Sequence, residues 1–114
     1  MATIQAVIAE PGKGARVLAI EDSLEGMQQA VEGNIELAVV KDDRRVGRLD
    51  FYCNEEGRLD GMPMNRIVDG IDICGSILVV SSDHEGETVG LTDEQAALAV
   101  LLLDSCPRAV LLDF

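Results

Sequence analysis

The chain has 114 residues, of which 47% are hydrophobic and 26% charged, and a formal net charge of −12 at pH 7. This size and composition indicate one folded domain over residues 1–114, whose core needs no disulfide or metal to hold it together. The negative charge repels phosphates and anionic lipids, so we expect no direct binding to nucleic acid and none to a membrane. An acidic surface also suits a DNA mimic, which occupies the DNA site of another protein; simple solubility is the alternative explanation.

The cysteines and the N-terminus are typical of a protein from a reducing compartment. Cys53, Cys74 and Cys106 form no CxxC pattern, so they predict neither a zinc site nor a redox pair and are interpreted as buried thiols. Residues 1–10 lack the basic and apolar regions of a signal peptide, and the longest apolar run, residues 96–103, is too short to cross a membrane. We therefore expect a cytoplasmic protein.

The first third of the chain predicts a β-hairpin followed by a helix. Residues 3–10 and 15–21 are apolar runs rich in β-branched residues, and the sequence PGKG between them is typical of a turn. In the segment that follows, Leu24, Met27 and Val31 form one apolar stripe at helical spacing, and Gly33 is a typical stop. Asp22 has capping-box spacing to a later glutamate, with Ser23 as the alternative cap.

The rest of the chain adds three strands and a second helix. Residues 35–41, 48–54 and 71–83 are predicted strands, the last with a bulge or a close backbone approach at Gly75. A capping box from Thr92 to Gln95 begins a helix that ends before Pro107. The order ββαβββα predicts an α+β fold, a mostly antiparallel five-stranded sheet with both helices on one face.

The second helix is apolar on every side between residues 96 and 103. A helix of this kind must be covered all round, and one sheet in a small domain covers only part of it. We expect this helix to contact a host protein or a second copy of the chain. The alternative is that residues 108–114 fold back over it.

Two motifs that suggest chemistry fail on inspection. In EPGKG the lysine is followed by Gly14 and a strand, whereas a phosphate-binding loop needs Ser or Thr and a helix. The segment SSDHEGE offers ligand types but no second cluster, and His84 is the only histidine of the chain. We predict no catalytic residue, no metal site and no cofactor.

A basic segment, KDDRRVGR at residues 41–48, stands out in an otherwise acidic sequence. Arg44 and Arg45 could bind a small anionic ligand or an acidic partner, since guanidinium groups match carboxylate and phosphate geometry. The alternative is local pairing with the carboxylates at positions 42, 43 and 50.

The strongest candidate for a binding site is NEEGRLDGMPMNR, residues 54–66. Its glycines and proline define a loop that would hold Asn54, Glu55, Asn65 and Arg66 in fixed positions, where amides and a guanidinium can bind a ligand or a protein. No nucleophile or poised base accompanies them. The alternative is a structural loop in which Asn and Arg bind backbone carbonyls of their own chain.

These residues also carry a family resemblance. The chain resembles the domain-of-unknown-function 3846 family over about residues 5–98. The resemblance rests above all on NEEGxLxGxPxNR, matched here by Asn54, Glu55, Glu56, Gly57, Leu59, Gly61, Pro63, Asn65 and Arg66. The chain departs from the family pattern at residues 43–50 and in its longer apolar C-terminus. The resemblance implies a small protein of phages, mobile elements and Gram-positive bacteria, with no established activity.

Two functions are compatible with these observations. The first is a non-enzymatic phage or mobile-element accessory protein that binds a host protein in the bacterial cytoplasm, as counter-defence. The alternative is an oligomer that binds or sequesters a nucleotide signal through Asn65 and Arg66, together with the rim formed by Arg44 and Arg45.

Overall fold

The computed structural model describes residues 2–107, which form eight strands and two helices. In chain order the elements are β1 (Thr3–Ala9), β2 (Arg16–Glu21), α1 (Leu24–Val31), β3 (Ile35–Asp43), β4 (Gly47–Asn54), β5 (Met64–Val68), β6 (Ile71–Cys74), β7 (Ile77–Ser82), β8 (Thr88–Val89) and α2 (Asp93–Ser105). The predicted α+β class is confirmed, and so are both helices and the first hairpin.

The main sheet has the strand order β2-β1-β7-β4-β3, and every neighbouring pair in it is antiparallel. The short β8 pairs with the end of β7, while β5 and β6 form a separate two-stranded sheet. The central position of β7 explains its sequence, because Ile77 to Ser81 are all buried. A strand covered on both faces shows a continuous apolar run rather than an alternating one.

The predicted strand over residues 71–83 is two strands, because the chain turns at Gly75. This glycine has a φ of 80°, in the left-handed region that ends a strand. Its N–H donates to the carbonyl of Pro63 at 2.8 Å, so β6 stays with β5 while β7 enters the main sheet. As a result, the end of the segment predicted as a loop, from Met64 onward, is the strand β5.

The two helices lie on opposite faces of the sheet, so the prediction of both helices on one face is wrong. On β1, Val7 belongs to the core cluster that α2 enters, whereas its neighbour Ala6 belongs to the cluster that α1 enters. On β7, Val79 and Leu78 divide in the same way. Neighbouring side chains on a strand point to opposite faces, so strands buried on both sides require one layer above and one below.

The ends of the helices follow the predicted chemistry with two adjustments. Ser23, not Asp22, caps α1, since its hydroxyl accepts from the N–H of Gly26 at 3.0 Å. The left-handed residue at the end of α1 is Glu32, with a φ of 62°, and Gly33 follows it. The capping box from Thr92 to Gln95 is present at the start of α2.

The apolar surface of α2 is only partly covered among residues 2–107. Ala96, Ala99 and Leu103 are buried against the sheet, whereas Ala97 is exposed and Leu101 is 63% exposed. Residues 108–114, the alternative cover for this helix, lie outside the described residues. The contact of α2 with a host protein or a second copy stays a prediction.

Candidate functional site

The loop between β4 and β5 starts with a buried asparagine that ties it to α1. The Asn54 side chain donates to the carbonyls of Val31 and Glu32 at 3.1 and 3.3 Å, and its oxygen accepts from the N–H of Glu56 at 2.8 Å. The last carbonyls of a helix have no partner within the helix, and this amide supplies one. A Cβ on Gly33 would come within 2.5 Å of the same amide nitrogen, so a side chain at this position would push the Asn54 amide away from its two carbonyls.

The middle of the loop is held against β6 by its backbone. Gly57 lies so close to β6 that an added Cβ would be 2.8 Å from the carbonyl oxygen of Cys74. The carbonyl of Gly57 accepts from the N–H of Met62 at 2.9 Å, and the N–H of Asp60 donates to the carbonyl of Glu56 at 2.8 Å. These bonds fix a compact turn whose exposed tip carries Arg58 and Leu59.

Asn65 is buried and binds two backbone carbonyls of its own chain. Its amide nitrogen donates to Ala9 at 2.7 Å and to Gly75 at 2.8 Å, which joins the end of β1 to the turn between β6 and β7. Its amide oxygen accepts from Arg66 Nη1 at 2.5 Å.

Arg66 is fully buried and connects three parts of the fold. Its Nε donates to the carbonyl of Leu103 at 2.7 Å, and its Nη2 donates to the carbonyl of Lys13 at 2.6 Å. The same Nη2 lies 3.5 Å from Oδ1 of Asp104, which also accepts from the N–H of Ala15 at 2.9 Å. The cation thus satisfies a carbonyl in the last turn of α2, where the helix dipole favours positive charge.

The structure therefore separates the six residues that were predicted to bind. Asn65 and Arg66 point inward, and their side chains follow the structural alternative rather than the binding one. The Asn54 amide also binds backbone carbonyls of its own chain. Asn54 nevertheless lines a surface groove together with the exposed Glu55.

Arg44 and Arg45 lie elsewhere, exposed in the turn between β3 and β4. That turn is stabilised by Asp43, whose Oδ1 accepts from the N–H of Arg45 at 2.8 Å. Within residues 2–107 neither arginine side chain makes an ion pair, whereas their basic neighbours do: Arg48 with Asp50 at 2.6 Å, and Lys41 with Asp69 at 2.8 Å. The predicted local pairing thus holds for Arg48 and not for the two arginines of the turn.

The groove has a volume of about 490 Å³ and lies between the β3–β4 pair and strand β6. β3 is the last strand of the main sheet, and β6 pairs only with β5, so each contributes a strand without a second neighbour among the described residues. The loop tip forms a third side. Three residues of the family motif, Asn54, Glu55 and Leu59, thus line one concave surface with residues of β3, β4 and β6.

Three residues with exposed apolar side chains contribute to the lining of this groove. Leu59 is 88% exposed, Ile71 48% and Leu37 42%. Single exposed apolar residues are ordinary on protein surfaces, but several on one concave surface are typical of a binding site.

The rim of the groove is acidic. Glu36, Glu55 and Asp72 line it, and Arg58 is the one basic residue among the lining residues. Arg58 is engaged already: its Nη2 lies 3.6 Å from the Asp72 carboxylate and donates to the Asp72 carbonyl at 3.2 Å.

Two thiols also line the groove, those of Cys53 and Cys74. Burial raises the pKa of the Cys53 thiol, and the nearby Glu36 and Cys74 raise this pKa further. A raised pKa keeps the sulfur protonated at neutral pH, and a protonated thiol is a poor nucleophile and a poor metal ligand. Among residues 2–107 there is no group of three or more His, Cys, Asp or Glu placed to hold a metal ion.

The sequence interpretation missed most of the residues that line the groove. Leu59 and Arg58 stand inside the motif, so their position in the loop was visible, but nothing in the sequence gave their exposure. Leu37 and Ile71 resemble core residues of a strand. Only the pairing of β3 with β4 and of β6 with β5 shows that they are exposed at the ends of their sheets.

Comparison with known proteins gives one family. A family model described as a domain of unknown function (DUF3846) matches residues 4–104. No curated protein and no solved structure is similar to the chain at a significant level. No helix within the described part of the chain is long and apolar enough to cross a membrane.

Proposed function

The chain belongs to the DUF3846 family, and from this premise we propose that it is a non-enzymatic accessory protein that binds a host protein. The resemblance to small phage and mobile-element proteins supports the setting, the cytoplasm of a bacterial host. Counter-defence is the purpose that we propose for the binding. The groove beside the motif loop, with Leu59 exposed at its rim, is the observation that carries the proposal.

The physical argument concerns the placement of Leu59. A side chain that is 88% exposed contributes little to the core, so the fold gives no reason for a leucine at this position. Ile71 and Leu37 line the same groove from two different strands. When a partner removes an apolar surface of this kind from water, the free energy falls, and this stabilises the complex.

The absence of enzymatic activity belongs to the same proposal. The residues that line the groove include carboxylates and thiols but no histidine, serine or lysine. General acid–base or nucleophilic catalysis needs a group whose pKa is tuned for proton transfer or attack, and the Cys53 thiol has its pKa shifted away from that range.

The nucleotide-binding alternative loses its main support. The side chains that it would use, Asn65 and Arg66, bind carbonyls of their own chain, and an anionic ligand in the groove would meet three carboxylates. A DNA-mimic mode of protein binding stays within the proposal, because it requires only the acidic surface.

The outer face of α2 is a second surface for a host protein or another copy of the chain. Leu101 is 63% exposed on this face, next to the exposed Ala97. An exposed leucine on a helix that is apolar all round is what a helix-to-helix contact would cover.

The test is affinity capture from bacterial lysate with the wild-type chain and the variants Leu59→Ser, Leu101→Ser and Leu24→Ser, which remove the apolar side chain without adding charge. All three leucines are exposed, so each substitution changes stability by about 0.5 kcal/mol or less. We expect a stoichiometric partner that wild type and Leu24→Ser retain and Leu59→Ser loses. Loss with Leu101→Ser instead would place the contact on α2.

Two outcomes count against the proposal. One is a lysate that yields no stoichiometric partner, and the other is a partner that all three variants retain. For a DNA mimic, added duplex DNA must also displace the partner, because DNA and the acidic protein compete for the same basic site on it. High salt must displace the partner as well, because salt screens the attraction between opposite charges.

A further inference from the structure

We propose that the groove takes a cationic peptide segment of its partner, with an apolar side chain on Leu59 and Ile71 flanked by Lys or Arg. This inference rests on the proposed function and adds the chemistry of the bound segment. It also assigns a role to Arg58, which occupies part of the cation site in the absence of the partner.

The first argument is the charge of the lining. Three carboxylates face one guanidinium, and only Asp72 has that guanidinium as an ion-pair partner. The side chains of Glu36 and Glu55 make no hydrogen bond or ion pair with any residue from 2 to 107. A cationic group placed between them would form charge-assisted hydrogen bonds, which are about twice as strong as neutral ones.

The second argument is the exposed apolar residues next to these charges. Contact of a partner with Leu37, Leu59 and Ile71 removes water from the groove, and electrostatic interactions strengthen as the local dielectric falls. An uncharged partner that covered the same surface would desolvate carboxylates without compensation, which costs free energy. A segment with one apolar residue between basic ones satisfies both requirements.

A second copy of the chain fits this groove poorly. In a two-fold dimer the same patch meets itself, so Glu36, Glu55 and Asp72 would face their own counterparts. Like charges brought together across an interface destabilise it. Self-association through the groove is therefore disfavoured, unlike self-association through α2.

The third argument concerns Arg58 as a competitor. Its guanidinium binds both the carboxylate and the carbonyl of Asp72, the positions that an incoming Lys or Arg would use. Removal of Arg58 frees Asp72 and makes the lining more negative. Binding of a cationic segment should then become tighter, whereas binding of an anionic ligand should become weaker.

The experiment selects binders from a random linear peptide display library on the immobilised full chain, with counter-selection on Leu59→Ser, which removes the apolar side chain without adding charge. Synthetic versions of the selected peptides are then titrated against wild type and variants by fluorescence anisotropy. We expect peptides with a net positive charge and at least one apolar residue, and affinities that fall with added salt.

The variants give the sharper readout. Glu36→Gln and Glu55→Gln should each weaken binding by about two- to fivefold, and Arg58→Ala should tighten it by about two- to fivefold, the range of single exposed ion pairs. Glu85→Gln and Arg16→Ala are the controls outside the groove: the first changes the net charge as Glu36→Gln and Glu55→Gln do, and the second as Arg58→Ala does. Each should change the peptide affinity much less than the groove variant that it matches. These controls separate a local contact from the overall field of the protein.

Three results would overturn the inference. Selected peptides that depend on Leu59 but are neutral or acidic would refute the cationic segment and leave the proposed function intact. Weaker binding with Arg58→Ala would refute the competitor role. Peptides bound equally by wild type and Leu59→Ser would remove the groove as a site, which would also weaken the proposed function.

Discussion

Replacement of Arg66 by alanine should destabilise the fold by about 3–5 kcal/mol, the range found when one partner of a buried charged network is removed. Arg66 is fully buried in a region where three elements meet: α2, the β1–β2 turn and the start of β5. Because small domains are stable by only about 5–15 kcal/mol, this change would remove a large fraction of the free energy of unfolding.

The magnitude follows from the partners that lose a donor. The bond to Leu103 O is charge-assisted and buried, so its loss costs about 1.5–3 kcal/mol, reduced somewhat because Cys106 N–H still donates to that oxygen. The oxygen of Asn65 is left buried without its guanidinium partner, which costs a further 1–3 kcal/mol or so. Water can replace the bond to the carbonyl of Lys13, since Lys13 is exposed, so we assign that bond little.

Urea denaturation followed by circular dichroism measures the effect. With a slope of about 1–3 kcal/mol per molar urea, the midpoint of Arg66→Ala should fall by roughly 2 M. Arg66→Lys should recover only a small part, because an ammonium group is a point charge and cannot reach three acceptors in one plane as the guanidinium does. Arg58→Ala is the matched control, an exposed arginine whose loss changes stability by about 0.5 kcal/mol or less.

The reasoning would be refuted if Arg66→Ala and Arg58→Ala had the same midpoint. It would also be refuted if Arg66→Lys were as stable as wild type, since charge alone would then explain the effect. In either case Arg66 would again be a candidate for ligand binding.

Two further predictions concern the same loop and groove. Gly57→Ala should lower the free energy of unfolding by about 1–3 kcal/mol in the same assay, because the added methyl group meets the carbonyl of Cys74. Gly14→Ala is the control and should not destabilise the fold, because the nearest atom to its added methyl group is 3.9 Å away. If the two substitutions changed the free energy of unfolding equally, the close approach at Gly57 would be contradicted. The pKa of Cys53, followed by the NMR carbon shift of its Cβ, should lie above that of a free thiol and fall in Glu36→Gln, since burial is the main cause and Glu36 adds to it. The folded state binds this proton more tightly, so the associated stability is present below the unfolded-state pKa and is lost as pH rises through the folded-state pKa; a thiol that titrates at or below the free value would contradict the burial.

Short-range patterns were enough to predict most of the elements. The alternation and the apolar runs predicted β1 to β4, and the apolar stripe and the capping box predicted α1 and α2. These signals depend on residues a few positions apart, and local backbone preference and side-chain periodicity are encoded at that distance. The motif in residues 54–66 likewise indicated the family to which the chain belongs.

The direction of the polar side chains depended on distant partners. Arg66 binds carbonyls that are 37 and 53 positions away in the chain, and Asn65 binds one that is 56 positions away. No local pattern distinguishes an arginine that serves such carbonyls from one that serves a ligand, so both interpretations remained open at the level of sequence.

The arrangement of the layers was equally non-local. The positive φ of Gly75 divides a single predicted strand, so that β7 lies in the centre of the main sheet while β6 pairs with β5. Among residues 2–107, β3 and β6 each have only one neighbouring strand, and the exposure of Leu37 and Ile71 follows from that pairing.

The sequence by itself determined the α+β class, the family and the position of the motif loop at residues 54–66, since these depend on local preference and composition. Only the tertiary structure decided what the loop does with its residues. It buries Asn65 and Arg66 because the ends of α2 and β1 and the β1–β2 turn bring carbonyls there that need donors. It leaves Glu55, Arg58 and Leu59 at the surface because nothing in the described chain covers the edge strands beside them.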